Sequence, residues 1–563
     1  MSTDKENTPI KPLRVFLFLL SIHVFLGAFI LIFPSGEIKI TDNFTLSFIP
    51  KDEVLHGKDL VVVDIDSVIT DIDPIDSLDN LQDSALRAKL ANEKYDAPAK
   101  RRIQFPSNNK AALDLFFEAL MQTEKTGKLI RIAHYGDSQI EGDRISDYLR
   151  NRLQLKFGGY GPGIILPIDY THSRITVRQD ESGDWKKFAI FGNLKRLKNG
   201  KYGLGGSAYR FTGSYIKKTE IEEDSTTGVL DTNNAVDDST LAENMKVDSD
   251  TSENDSNTKE PLYIEEEITV DASWMSFKPG KYTSYSRVKR FKRISLLYGN
   301  NPANTVAQIK IDNHSFKDTI RKTNGFKMLT WDKGFVNNEF RITFLSKTSP
   351  DVYGVMLDGD SGIAVDNFAM RGSAGIEFER MDKNFLQVQM NAVNTKLIIL
   401  QYGINVVPGV KKSYKWYETW FYKQLKMFKT IFPERSIMVV GLSDMSTKKG
   451  TDYVTYPNVP LIRDAMKNAA FKSGSAFFDL YEAMGGENSM VSWVNAKPPL
   501  AGLDYTHFTS KGAQYVGEML YNALMYEYTE WKKKQLGFDT PKKDTTVVAK
   551  KDSGKTSAAS LKK

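Results

Sequence analysis

Three short runs in this chain, Leu129-Ile-Arg-Ile-Ala-His134, Lys396-Leu-Ile-Ile-Leu-Gln-Tyr402 and Ser436-Ile-Met-Val-Val-Gly-Leu442, are apolar at nearly every position instead of at alternate ones. A strand of that kind buries both faces, which a parallel sheet with helices on either side allows. The first run stops at a Gly-Asp-Ser turn and then takes on helical spacing at Ile145, Tyr148, Leu149 and Leu153, until Phe157-Gly-Gly-Tyr-Gly-Pro-Gly163 ends it. Strand, turn, helix and glycine stop, repeated, make a doubly wound α/β domain. The same pattern predicts strands at 365–369 and 476–480, and helices over 111–122, 414–431, 461–473 and 510–526.

With 563 residues, 41% of them hydrophobic, the chain has room for more than one core. The spacing divides it into α/β segments at 111–170 and 351–535, separated by residues 171–350. There, short alternating runs such as Ala307-Gln-Ile-Lys-Ile311 and Phe340-Arg-Ile-Thr-Phe344 lie between Gly, Asn, Asp and Pro turns, as in an inserted β-sandwich. Residues 218–260 are rich in Asp, Ser, Thr and Asn and are expected to be a disordered loop, without the Asp-x-Asp-x-Asp-Gly pattern of a calcium loop. The Lys-rich tail at 536–563 is expected to be disordered as well.

Residues 15–33 are apolar apart from Ser21 and His23, and Lys5, Lys11 and Arg14 precede them. This predicts a transmembrane helix with residues 1–14 in the cytoplasm, favoured over a cleaved signal peptide, and everything beyond it extracytoplasmic. Residues 34–110 then form a membrane-proximal segment with a strand-like stretch near Leu60 and a polar helix at 85–94. Cysteine is absent, which removes disulfides, a thiolate nucleophile and Cys-ligated zinc, and no cofactor is called for. The net charge of +6 is small against 76 basic and 70 acidic residues, and no basic stripe with interleaved aromatics is singled out, so nucleic acid is not an expected partner.

Four places at strand-end turns carry chemistry: Ser138 in Gly136-Asp137-Ser138, Gly372 or Gly375 in the loop after Val365, Asn405 in Gly403-Ile404-Asn405, and the pair Asp504 and His507. Loops at the carboxyl ends of parallel strands converge on one site. A serine nucleophile needs a base, the base needs a carboxylate to fix its tautomer, and the tetrahedral intermediate needs hydrogen-bond donors. Taken alone, each residue has a plainer reading: Ser138 and Asn405 as caps, His507 as a packing residue.

This ordered set resembles the SGNH or GDSL hydrolase superfamily, whose blocks carry Ser, Gly, Asn and Asp-x-x-His in that order. The resemblance implies a flavodoxin-like parallel sheet flanked by helices, with Ser138 as nucleophile, His507 as general base and then acid, and Asp504 as its orienting partner. It also implies an oxyanion hole made from the Ser138 and Gly372 N–H groups and the Asn405 side chain. Val406 departs from the family's Gly-x-Asn-Asp. A β-domain between the first two blocks is further similar to the peptidoglycan O-acetylesterases. The expectation is therefore a serine esterase, in a bacterial envelope, removing acyl groups, acetyl above all, from a glycan. An acyltransferase or a non-catalytic glycan-binding protein on the same fold are the alternatives, and the oligomeric state is open.

Other residues near these blocks receive structural readings. His134 lies within the first strand and is expected to be a packed core histidine. Gln139, Arg144 and Arg371 are taken as structural at least as readily as substrate-binding. Trp274, Phe277, Tyr282 and Tyr285 are expected in the sandwich core, and Trp416, Tyr417, Trp420 and Phe421 in a core or interface instead of a substrate platform.

Overall fold

The computed structural model describes residues 12–35, 37–41, 44–47, 51, 63, 95, 97–169, 171, 173–220, 263–281 and 285–537. The expectations for residues 1–11, the polar helix at 85–94, most of the loop at 218–260, Tyr282 and the tail beyond 537 lie outside these residues, as does the stretch near Leu60 apart from Val63.

Five strands, β1 (Ile130–Gly136), β2 (Ile363–Ala369), β3 (Thr395–Gln401), β4 (Ser436–Val440) and β5 (Ala476–Phe478), form one parallel sheet in the order β2-β1-β3-β4-β5. Both faces are covered, which is why these strands are apolar throughout. Ile132, Leu397, Ile399, Met438 and Val440 enter one core, and Ala133, Tyr135, Ile398, Leu400, Ile437 and Val439 the other. The first core is closed by helices α2 (Asp114–Thr126), α3 (Arg144–Phe157) and α7 (Ser510–Gln535), and the second by α4 (Lys383–Ala392), α5 (Lys415–Ile431) and α6 (Val459–Lys472). Helix α7 runs past the expected end at Tyr526 because Tyr528 and Trp531 still pack on Phe117.

The insert is a sandwich of a five-stranded and a six-stranded sheet sharing one core that includes Trp185, Phe277, Leu296, Trp331 and Phe340. Strand Asp351–Asp358, read from sequence as the return of the α/β domain, belongs to the six-stranded sheet and pairs with Arg293–Asn301 and Gly163–Ile165. Its alternate residues serve two cores: Val352, Val355 and Leu357 face the sandwich, while Tyr353 and Met356 face the hydrolase domain. Buried on both sides, it mimics a parallel strand. The insert is anchored by buried charges as well. Arg131 of β1 pairs with Asp358 of the insert and Asp366 of β2, and Asp143 accepts from Arg150 and from Thr176 of the insert.

At the N-terminus, helix α1 (Pro12–Ile32) carries exposed Phe16, Phe18, Phe25 and Leu31. Among the described residues no helix is long and apolar enough to cross a membrane, so the spanning anchor expected at 15–33 is not supported.

Candidate active site

The β2-β1-β3 order reverses direction between β1 and β3, and the crevice at that switch point is where an open α/β sheet binds ligands. Ser138 follows β1 there and Asn405 follows β3. A Cβ on Gly136 would meet the Gln401 carbonyl oxygen and Ile140 at 2.9 Å, so only glycine lets the chain turn this closely. The buried Asp137 carboxylate accepts from the Gln139 N–H at 3.0 Å. Burial pushes that carboxyl up to about 7 against this hydrogen bond. Ser138 opens a 3-10 turn, Ser138–Asp143, that kinks through positive φ at Gly142 and Asp143 before α3 starts at Arg144. The serine therefore does not stand at the N-terminus of an α-helix, as its turn suggests from sequence.

His507 Nε2 lies 2.8 Å from Ser138 Oγ, and His507 Nδ1 lies 2.7 Å from Asp504 Oδ2. The other Asp504 oxygen accepts the backbone N–H groups of Thr506 and His507, both at 3.0 Å. An ionised Asp504 can only accept, so Nδ1 carries the ring proton and Nε2 faces the serine with its lone pair. Partial burial pushes the Asp504 carboxyl up, but the His507 side chain and the two backbone N–H donors outweigh it and hold it at about 2. The Asp-x-x-His spacing closes as a tight loop, with Tyr505 N–H on the Gly502 carbonyl at 3.0 Å and Gly502 N–H on the His507 carbonyl at 2.8 Å.

Three contacts steady this loop. Tyr505 sits at φ +52°, unusual for a bulky residue, and its ring stacks on Tyr453 at 3.6 Å and 8°. Tyr453 belongs to the hairpin of Ser446–Lys449 and Asp452–Thr455, whose Ser446 N–H donates to the Tyr505 carbonyl. Gln139, beside Ser138, reaches across to donate to the Thr506 carbonyl at 2.7 Å and to Ser443 Oγ at 3.2 Å. Arg144 braces the other side, donating to the Ser138 carbonyl at 2.6 Å and the Glu141 carbonyl at 3.0 Å. These side chains carry no motif of their own, and only the adjacency of Gln139 and Arg144 to Ser138 hints at them in the sequence.

The two candidate glycines part company. Gly375 N–H is taken by Ser373 Oγ at 3.0 Å, and a Cβ there would strike Tyr402 at 2.6 Å. Gly372, at φ +83°, has no hydrogen-bond partner for its N–H among the described residues. Asn405 Nδ2 donates to the Ser373 carbonyl at 3.0 Å, which draws the third block against the second. Met370 N–H donates to the Gly136 carbonyl at 2.7 Å and ties the same loop to the turn that carries Ser138.

His134 is wholly buried between Gln401 Oε1 and Ser146 Oγ, each at 3.1 Å, as expected of a core histidine. Burial pushes it down to about 4, against the Gln401 hydrogen bond. Arg371 pairs with Glu141 at 3.6 Å. Among the described residues no cluster of His, Cys, Asp and Glu is arranged to hold a metal.

No protein-family model and no curated protein matches the chain. Solved structures do. A peptidoglycan O-acetylesterase aligns over 76% of this chain and 99% of its own, at 18% identity and a TM-score of 0.54. A GDSL-like lipase from Parabacteroides merdae aligns over 29% of this chain and 74% of its own, at 15% identity and a TM-score of 0.23. An acetyl xylan esterase aligns over 29% and 81%, at 12% identity and a TM-score of 0.21. The first of these likenesses shows that the chain shares the fold of that peptidoglycan O-acetylesterase.

Proposed function

We propose that this protein is a serine esterase that removes acetyl groups from a cell-envelope polysaccharide such as peptidoglycan, through an acyl-Ser138 intermediate. The observation that carries the reading is the continuous relay from Ser138 Oγ through His507 to Asp504. In the proposed reaction, Ser138 Oγ attacks the ester carbonyl while His507 Nε2 takes its proton. The imidazolium, paired with Asp504, returns that proton to the departing sugar oxygen. Water then attacks the acyl-serine with His507 again as base, and the imidazolium returns the proton to Ser138 Oγ as the bond to the acyl carbon breaks and acetate leaves. The oxyanion is assigned to the Ser138 and Gly372 N–H groups and the Asn405 amide.

Hydrolysis is preferred over transfer because Asp504 and His507 are 51% and 33% exposed, so water has access to the intermediate. The polysaccharide is suggested by the shared architecture with an enzyme named for peptidoglycan. Action outside the cytoplasm is part of the same proposal. The test is hydrolysis of 4-nitrophenyl acetate by the wild type, Ser138→Ala and His507→Ala. Loss of about 10³-fold or more in kcat is expected in both variants, and equal activity in all three proteins would overturn the assignment.

A further inference from the structure

Helix α5 and the loop before it follow directly from Asn405, and they bear a surface that the catalytic relay does not use. In residues 408–431 the only acidic residue is Glu418, which is buried and bonded to Lys415 at 2.5 Å. Lys411, Lys412, Lys415, Lys423 and Lys426 are exposed. Interleaved with them, Val410, Trp416 and Trp420 are 55%, 39% and 45% exposed. The aromatic set expected as a unit in a core or interface is thus divided: Tyr417 and Phe421 are buried, and the two tryptophans face outward.

The exposed rings are paired with cations. Lys411 Nζ lies 5.2 Å from the Trp416 ring centre and Lys423 Nζ 4.3 Å from that of Trp420. The two rings are one helical turn apart, ~6 Å along the axis. The helix that bears this face packs on the candidate site through its opposite, buried side. Tyr417, next to Trp416, donates its hydroxyl to the Ala374 carbonyl at 2.9 Å, in the loop that carries Gly372, and Asn405 donates to Ser373 of the same loop.

We infer that this stripe binds the polymer backbone of the substrate, and that the polymer is an anionic polysaccharide. Flat indole faces stack on the apolar faces of sugar rings, and the lysines meet the polymer's carboxylates; residues 408–431 hold no exposed carboxylate, and exposed Glu379 of a neighbouring segment is engaged with Gln424. The packing of α5 on the loop that carries Gly372, and its place directly after Asn405, favour a substrate strand over a lipid surface or a nucleic acid, both of which would also answer to Lys and Trp. The inference rests on the esterase reading for its substrate, but its test reads binding separately from catalysis.

Two variants change only this exposed face: Trp416→Ala with Trp420→Ala, and Lys411, Lys412, Lys423 and Lys426 all →Gln. Lys415 is kept for its bond to Glu418. In a Ser138→Ala background, co-sedimentation of the full chain with purified O-acetylated peptidoglycan sacculi is expected to fall about tenfold in each variant. With Ser138 intact, the ratio of kcat/KM on sacculi to that on 4-nitrophenyl acetate should fall about tenfold as well. Unchanged retention and an unchanged ratio overturn the inference. So does loss of binding to phosphatidylglycerol vesicles or single-stranded DNA with sacculus binding intact. Absence of ester hydrolysis by the wild type would instead defeat the esterase reading, while sacculus retention would still report on the stripe.

Discussion

Replacing Asp504 by Asn tests whether the carboxylate sets the tautomer of His507. Asp504 Oδ1 accepts two backbone N–H groups, from Thr506 and His507, and Oδ2 accepts the imidazole Nδ1–H. An asparagine has one acceptor oxygen, and the two fixed donors claim it. Its NH₂ then faces Nδ1, which must become an acceptor, so the ring proton moves to Nε2. There it points at Ser138 Oγ, and the base is lost although every atom stays in place. In a dry triad this swap lowers kcat about 10⁴-fold, or roughly 5.4 kcal/mol at ~1.36 kcal/mol per tenfold. Here the carboxylate is half exposed and the imidazole one-third exposed. Water can therefore serve Nδ1 as an alternative partner, and the expected loss is smaller, about 10²- to 10³-fold in kcat. KM for 4-nitrophenyl acetate should move less than about twofold, and imidazole ¹⁵N shifts should report the exchanged tautomer. A kcat for Asp504→Asn within tenfold of wild type, or a loss of rate with Nδ1 still protonated, would refute this reasoning.

The stack of Tyr453 on Tyr505 is expected to hold the triad loop in a conformation that its own backbone disfavours. A left-handed tyrosine costs ~1–2 kcal/mol, and an aromatic pair returns ~0.5–1.5 kcal/mol. Tyr453→Ala should therefore lower kcat about three- to tenfold with little change in KM, and Tyr453→Phe should restore it. Equal rates in the Ala and Phe variants would remove Tyr453 from this role. The second expectation concerns acid stability. His134 is held near 4 by burial and starts from 6.5 unfolded, so between these values the unfolded chain binds more protons. Its contribution is fully present above pH 6.5 and is lost as the pH falls toward about 4. His134→Gln should flatten the dependence of the urea midpoint on pH across that window, and an unchanged slope would show that other groups govern it.

The parts of this molecule that were legible in the sequence are those where one local pattern has one structural meaning. Runs apolar at every position gave the β1, β3 and β4 strands because burial on two faces leaves no polar side. Strand Asp351–Asp358 has the same pattern for a different reason, its second face being covered by the domain into which it is inserted, and periodicity does not distinguish the two. The Asp504 and His507 pair was legible because a three-residue separation lets both close one tight loop, whereas Gln139, Tyr453 and Arg144 act through contacts without spacing rules. Helix α5 lies between these cases. At 100° per residue, Trp416 and Trp420 fall within one sector and Tyr417, Phe421 and Phe428 within another, so the run contains two aromatic stripes. Lys423 and Lys426 fall on the tryptophan side. Their charge assigns that side to solvent, since a core cannot accept unpaired ammonium groups. The outward face of α5 was therefore encoded by the lysines and not by the aromatics themselves, whose helical spacing is the same on both sides.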